Sequence, residues 1–225
     1  MPTEPYRNNH KNKTSNRKMK PQTTEETTTP TSPLTTPYRQ IRAHHDAQHI
    51  TVYQAYNIAI ATAAVTHQCL SASPKFSPSR MTWIKPSWAW MLYRSGYSYK
   101  DPGQARILAL QMRLDDFFSL LAKGVPAEGD EGLPEVRIQW DPERDVRLEK
   151  LGHRSIQIGV PGSLREWWVE SIVKIEDVTE RARELKRVLE EEGEVSEEEL
   201  VERGLVPVER AVEVPEELGR GLRMG

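Results

Sequence analysis

The sequence predicts an α+β fold, a single domain in which a mixed, largely antiparallel sheet is flanked by helices. Three observations support this prediction. Short segments with strand-like alternation of apolar and polar residues recur between residues 38 and 180. Helical segments lie among them without regular alternation, which argues against a parallel sheet. Residues 1–37 contain almost no aliphatic side chains, which predicts a disordered N-terminal tail.

The first elements are predicted from alternation and from a helix-capping residue. YRQIRA (38–43) and ITVYQAY (50–56) predict two strands joined by the polar loop HHDAQH. Asn57 is a favoured N-cap residue, so the alanine-rich segment after it predicts a helix that ends near Leu70.

The stretch RMTWIKPSWAWMLYRSG predicts a strand, a tight turn and a helix. MTWI is typical of a short strand. Pro86 cannot continue a central strand but suits the first turn of a helix, which we expect over 86–94. Gly96 is expected to end this helix.

The middle of the chain predicts three strands. ARILALQM (105–112) is nearly all apolar, as expected of a central strand that is buried on both faces. VRIQW (136–140) and RSIQIGV (154–160) alternate cleanly between apolar and polar residues. Because proline lacks a backbone donor, we expect the strand VRIQW to end at Asp141-Pro142.

Helices dominate after residue 160. Ser163 and Glu166 have the spacing of a capping box, and Ser196 and Glu199 repeat it. SIVKI predicts a strand, and TERARELKRVLEEEG predicts a helix. The chain is thereby divided into a disordered tail (1–37), a globular α+β domain (38–180) and a C-terminal helical extension (181–225).

Composition limits the class of protein. The single cysteine, Cys69, excludes an internal disulfide and fits a reducing compartment. No apolar stretch is long enough to cross a bilayer and no secretory signal is present, so we expect a cytoplasmic protein without a membrane partner. The basic segment KNKTSNRKMK in the tail is a candidate nuclear or nucleic-acid signal, although a solvated tail is the favoured interpretation.

The stretch from Arg80 to Gly96 is the first candidate site, because cations and indoles are interleaved in it. A guanidinium group beside an indole suits a phosphate with an attached base. The alternative is that the tryptophans fill the core while the cations extend to solvent. The candidate ligand-binding residues in this stretch are Arg80, Trp83, Lys85, Trp90 and Arg94.

The stretch VRIQWDPERD is the second candidate site, since it leaves Gln139, Asp141 and Glu143 near one strand end. A carboxylate beside an amide suits catalysis or sugar binding, and ordinary turn chemistry is the alternative. His45 and His49 would share a face only in a helix, so we predict no metal site in their loop.

The chain resembles the family called domain of unknown function 4291 over about residues 37–180. The motifs that carry the resemblance are PYRQIRA, ITVYQAYN, RMTWIKPSWAWMLYRSG, VRIQWDPERD and RSIQIG. The family implies no assigned activity. HHDAQH and GVPAEGDEGLPE depart from the family pattern, so residues 124–135 are expected to form a variable loop.

The order of the predicted elements is also similar to that of ADP-ribosyltransferase-like domains. This layout implies a pocket for a pyrophosphate and a ring at the cation–indole cluster, with NAD as the candidate cofactor. Glu143 would be the carboxylate that stabilises positive charge at the sugar carbon, with Gln139 beside it on the ligand. Arg42 and Tyr53 are the candidates for the catalytic residues of the first motif.

Three functions stay open at this point. The chain is an enzyme or pseudoenzyme that acts on NAD or another small-molecule nucleotide, a nucleic-acid-binding module, or a non-catalytic interaction domain. In the second case tryptophans would stack on bases and Arg and Lys would contact phosphates. Residues 38–179 contain 17 basic and 16 acidic side chains, and this balance argues against nucleic acid.

Overall fold

A computed structural model describes residues 36–77, 79–125 and 135–225. The tail predicted for 1–37 lies outside the described residues except for Thr36 and Pro37, and so does most of the predicted loop 124–135. Helices and strands are mixed along the chain and the named strand pairs are antiparallel, which confirms the α+β class. None of the helices in these ranges has both the length and the apolar character needed to cross a bilayer.

The described strands form three small sheets rather than one. The helices and strands of the described residues are, in order, β1 (Arg42–Ala43), β2 (His49–Tyr56), α1 (Ile58–His67), β3 (Thr82–Ile84), α2 (Trp88–Ser95), β4 (Arg106–Arg113), α3 (Leu114–Ala122), β5 (Arg137–Arg144), β6 (Lys150–Val160), α4 (Arg165–Ser171), β7 (Ile172–Asp177), α5 (Thr179–Glu191), α6 (Glu197–Glu202), β8 (Arg210–Ala211) and α7 (Glu216–Gly221). The sheet orders are β2-β4-β7, β3-β6-β5 and β1-β8.

Strand β4 is the centre of the first sheet, as its apolar sequence predicted. Leu108 and Leu110 point into one hydrophobic core and Ile107 points into a second, on the opposite face. The first core also contains Ile156 and Ile158 of β6, so it lies between the two three-stranded sheets. The second core packs the sheet against α2 and α5.

The two three-stranded sheets are joined at their edges by a single backbone bridge. The Tyr53 N–H of β2 donates to the Lys85 carbonyl at 2.7 Å, and the Lys85 N–H donates to the Tyr53 carbonyl at 3.1 Å. Within the described residues, the backbone pairing between the two sheets is limited to this bridge. The sheets diverge from this point.

The predicted strand 38–43 is wrong in length and in partner. Only Arg42–Ala43 is a strand, and it pairs with β8 rather than with β2. The chain does reverse in the polar loop, where the Asp46 carboxylate accepts hydrogen bonds from the backbone N–H groups of Gln48 and His49. The turn is closed by a bridge between His45 and Ile50, and it is Arg42 and Ala43 before it that pair with the C-terminal segment.

The predicted end of the strand VRIQW at Asp141-Pro142 is also wrong, because β5 continues to Arg144. Strand β5 lies at the edge of its sheet, where the missing proline donor interrupts no ladder. The register shifts between Pro142 and Arg144, so the strand passes the proline through a bulge.

Helix boundaries were predicted well where a capping side chain defines them. Asn57 accepts a hydrogen bond from the Ile60 N–H, and Ser196 accepts one from the Glu199 N–H. The capping box at Ser163 is wrong, because this residue lies in a short 3₁₀ turn and its hydroxyl donates to Glu135. Helix α3 was not predicted, since it follows β4 without an intervening loop.

The segment after residue 180 packs against the rest of the described chain. Helix α5 buries Ala182, Leu185 and Val188 in the second core, and β8 pairs with β1. The division between a globular domain (38–180) and a C-terminal extension (181–225) therefore stays a prediction. The effect of a core substitution in α5 on the stability of the protein tests it.

We expect Leu185→Ala to lower the free energy of unfolding by about 2–5 kcal/mol, because it removes a fully buried side chain and leaves a cavity. Glu190→Ala, on the exposed side of the same helix, is the control and should change it by less than about 0.5 kcal/mol. Urea denaturation measures both. Equal stability of the two variants would mean that α5 is a detachable extension.

Candidate functional site

A cleft of about 540 Å³ opens between β2 and the polar face of the sheet β3-β6-β5. It begins where the Tyr53–Lys85 bridge joins the two sheets and they start to diverge. Its lining side chains come from β2, the loop before β3, β3 and the residue after it, α2, the turn before β4, β5 and β6. They include Gln54, Tyr56, Lys75, Phe76, Arg80, Met81, Trp83, Lys85, Arg94, Asp101, Gln139 and Gln157.

Strand alternation places polar side chains on the wall of this cleft. Ile84 points into the core, whereas Trp83 and Lys85 on either side of it line the cleft. Gln139 of β5 and Gln157 of β6 are direct partners across the ladder and point to the same side. One face of this sheet therefore builds the core, and the other builds the site.

A glycine lets the Trp83 indole approach the sheet closely. Gly159 of β6 is the ladder partner of Trp83. A Cβ atom at residue 159 would lie 3.2 Å from Trp83 Cη2 and 2.8 Å from Met81 Sδ. Both of these side chains line the cleft, so the absence of a side chain at residue 159 shapes its wall.

The cleft is electropositive. Four cationic side chains line it, and among the described lining residues Asp101 is the only acid. The Asp101 carboxylate already accepts hydrogen bonds from the Gly103 N–H and the Gln104 amide. The cations are therefore available to an anionic ligand, and they are Lys75, Arg80, Lys85 and Arg94.

Lys85 is the most unusual of these cations, because it is only 4% exposed. Its ammonium group donates to the Trp83 carbonyl at 2.6 Å, and within the described ranges it forms no ion pair. The pKa of Lys85 is lowered to about 7, mainly by burial and also by the Arg94 charge, while the Asp141 charge partly opposes the shift. A buried amine of this kind beside a cleft is a candidate functional group.

Two buried polar atoms in the cleft wall also lack hydrogen-bond partners. They are Gln54 Oε1 and the Tyr56 hydroxyl, which has the Thr82 side chain close by. An unmade hydrogen bond of a buried group costs about 1–3 kcal/mol.

The predicted catalytic residues Glu143 and Arg42 lie elsewhere and line a second cavity of about 280 Å³. Glu143 is buried and accepts hydrogen bonds from the Ser87 hydroxyl at 3.0 Å and from the Arg144 N–H at 2.8 Å. Burial raises the pKa of Glu143, although these hydrogen bonds oppose the shift. Glu143 lies within β5, one residue before its end, and not after the strand as the predicted stop at Asp141-Pro142 implies.

Tyr53 and Trp90 do not line the cleft within the described part of the chain. Tyr53 is 1% exposed and packs against Trp88 with ring centroids 5.1 Å apart. Trp90 is buried and stacks on Tyr93. Both rings are therefore buried in the protein, as in the alternative interpretation in which aromatic side chains fill the core.

The cleft thus unites five of the predicted site residues and excludes four. Arg80, Trp83, Lys85, Arg94 and Gln139 line it. Sequence reasoning missed Lys75 and Phe76, which lie in a loop with no periodic signal, and Gln157. The alternation of RSIQIGV gave the one available clue to Gln157, since it places this glutamine on the polar face.

Comparison with known proteins identifies the family. The family model described as Domain of unknown function (DUF4291) matches residues 40–212. The chain belongs to this family. The match to the DUF4291 model extends beyond residue 180 and includes α5, α6 and β8. No curated protein and no solved structure matches the chain, so the similarity in layout to ADP-ribosyltransferase-like domains finds no support there.

The buried lysine should make stability depend on pH. An unfolded lysine has a pKa of about 10.4, so between about pH 7 and pH 10 the unfolded chain binds more protons at residue 85 than the folded protein does. Stability therefore rises with pH in this window, and the cost of Lys85 is greatest below pH 7. We expect Lys85→Met to raise the free energy of unfolding by about 1–4 kcal/mol at pH 6 and much less at pH 9.5.

Urea denaturation at the two pH values measures this effect. Lys75→Met is the matched control, because Lys75 lies on the same cleft but is exposed. It should change stability little at either pH. A gain from Lys85→Met that is the same at pH 6 and pH 9.5 would show that Lys85 is not buried as a titrating amine.

Proposed function

We propose that the cleft binds a nucleotide, a ligand in which a flat heterocyclic ring is joined to phosphate groups. The observation that carries the proposal is the meeting of four cations, one indole and several amides in a single cleft. A volume of about 540 Å³ is within the range of about 300–1,000 Å³ that is usual for small-molecule sites.

The cations suit the phosphate end of such a ligand. Arg80 and Arg94 are exposed side chains that reach the cleft from opposite ends of the β3–α2 unit. A guanidinium group can donate two parallel hydrogen bonds to phosphate oxygens. An anion would also favour the charged form of Lys85, so binding is expected to be coupled to proton uptake at neutral pH.

The aromatic and amide side chains suit the ring end. Trp83 presents its indole next to Gln139 and Gln157, and Tyr56 and Phe76 line the same cleft. Flat rings stack on such side chains, and amides pair with the edges of bases. NAD and ADP-ribose have these features and are candidates together with simpler nucleotides.

Transfer or cleavage chemistry on NAD has less support than binding. The carboxylate expected to stabilise the sugar cation, Glu143, lines the second cavity and is held by Ser87.

A single-stranded nucleic acid is the alternative ligand, because it has the same chemical groups as a nucleotide. A cleft of this size favours one nucleotide over a strand. The near balance of basic and acidic side chains in residues 38–179 also favours a single nucleotide.

We expect ADP, NAD or ADP-ribose to raise the melting temperature of the protein. A ligand at about 100 times its Kd adds about 2.7 kcal/mol to stability. Arg80→Ala and Arg94→Ala should each weaken binding about tenfold, the scale of one charge-assisted contact, as measured by calorimetry. Arg210→Ala, on β8 and exposed, is the control and should bind like the wild type.

Two results would contradict this proposal. One is the absence of any nucleotide effect on the wild-type protein. The other is a short RNA oligonucleotide that stabilises the protein while single nucleotides do not, which would favour the nucleic-acid function instead.

The glycine behind Trp83 provides a second test. Gly159→Ala should displace Trp83 and Met81 and weaken nucleotide binding by about tenfold or more. Gly152→Ala on the same strand meets no atom within 4 Å and serves as the control. If both variants bind nucleotide as tightly as the wild type, the position of the indole is irrelevant to the ligand.

A further inference from the structure

Three polar side chains on the cleft face of the second sheet form one hydrogen-bonded unit. Gln157 Nε2 donates to Gln139 Oε1 at 2.9 Å and to Asp141 Oδ2 at 2.7 Å. Gln139 and Asp141 are two residues apart on β5, and Gln157 lies opposite Gln139 on β6. Gln139 and Gln157 line the cleft, and Asp141 follows Gln139 on the same face of β5 without lining it.

The chemistry of Asp141 fixes the orientation of both amides. A carboxylate only accepts hydrogen bonds, so the group that Gln157 turns towards Asp141 must be its NH₂. Both hydrogens of this NH₂ are then used, one on Asp141 and one on the Gln139 carbonyl. What remains for a ligand is the Gln139 NH₂ as donor and the Gln157 carbonyl as acceptor.

Building on the proposed nucleotide site, we infer that Gln139 and Gln157 recognise the base, and that Asp141, a positioning residue, makes the site select a 6-aminopurine over a 6-oxopurine. Adenine presents an amino donor beside a ring-nitrogen acceptor. Hypoxanthine presents a carbonyl acceptor beside an N–H donor in the same two places. A donor and an acceptor that cannot exchange roles can match only one of these two edges.

With the sugar and phosphates holding the base in one orientation, we assign the order that matches adenine, in which the Gln139 NH₂ donates to the ring nitrogen and the Gln157 carbonyl accepts from the amino group. The mismatched base leaves polar groups of the protein unpaired, and such groups are the strongest source of discrimination between similar ligands. Gln157 is buried, so solvent compensates little for a lost partner at its carbonyl. Without Asp141 both amides can turn over, and the site then accepts either edge.

The test compares ADP with IDP by calorimetry, since the two ligands share their sugar and phosphates. The wild type should bind ADP about tenfold or more tightly than IDP. Asp141→Asn keeps the shape but can donate as well as accept, so the ratio should fall to about threefold or less while ADP binding is retained. Asp116→Asn on α3 is the matched control and should keep the wild-type ratio.

Gln139→Met gives a second measurement. Because Gln139 is exposed, this substitution is not expected to disturb folding. It removes the donor and should weaken ADP binding about tenfold. A wild type that prefers IDP, or an Asp141→Asn variant with an unchanged ADP:IDP ratio, overturns the inference and leaves nucleotide binding intact. A wild type that binds neither ligand overturns the proposed function and this inference together.

Discussion

Two backbone hydrogen bonds between Tyr53 and Lys85 connect the two three-stranded sheets, and the cleft depends on them. Among the described residues the pairing is limited to this one bridge, and the cleft lies on the side of it that residues 54–56 of β2 and residues 82 and 83 of β3 line. A longer ladder would have closed the space that the cleft occupies. The same bridge fixes the Lys85 backbone, and it thereby brings the lysine side chain to the cleft wall.

The turn after this bridge is held from behind by carboxylates. Ser87 caps α2 by accepting from the Trp90 N–H and donates its own hydroxyl to Glu143, while the Trp88 N–H donates to Glu209 at 2.6 Å. Burial raises the pKa of Glu209 to about 8, and the nearby Glu143 carboxylate adds to the shift. The cleft in front of the turn is lined mainly by cations, whereas the second cavity behind it is lined by both acids and arginines.

Local sequence signals predicted the orientation of side chains better than the partners of strands. Alternation placed Trp83 and Lys85 on one face and gave Gln139 the polar side of its strand, and the cleft unites these residues. The alternation of a single strand contains no information about which strand lies beside it, so the partner of β1 was missed. The predicted strand end at Pro142 is wrong because a sequence does not show whether a strand lies at the edge of a sheet, where a proline is tolerated.

The pairing of β1 with β8 has a consequence for how the protein is made. Ala43 pairs with Arg210, and the Trp88 N–H finds its acceptor at Glu209, so contacts of the early chain need residues that are synthesised much later. Contacts that are distant in sequence slow folding, because a long loop must close before they form. In a nascent chain on the ribosome the Trp88 N–H therefore lacks its acceptor and β1 is unpaired until residue 211 has emerged. Chaperone binding is expected to matter most during that interval.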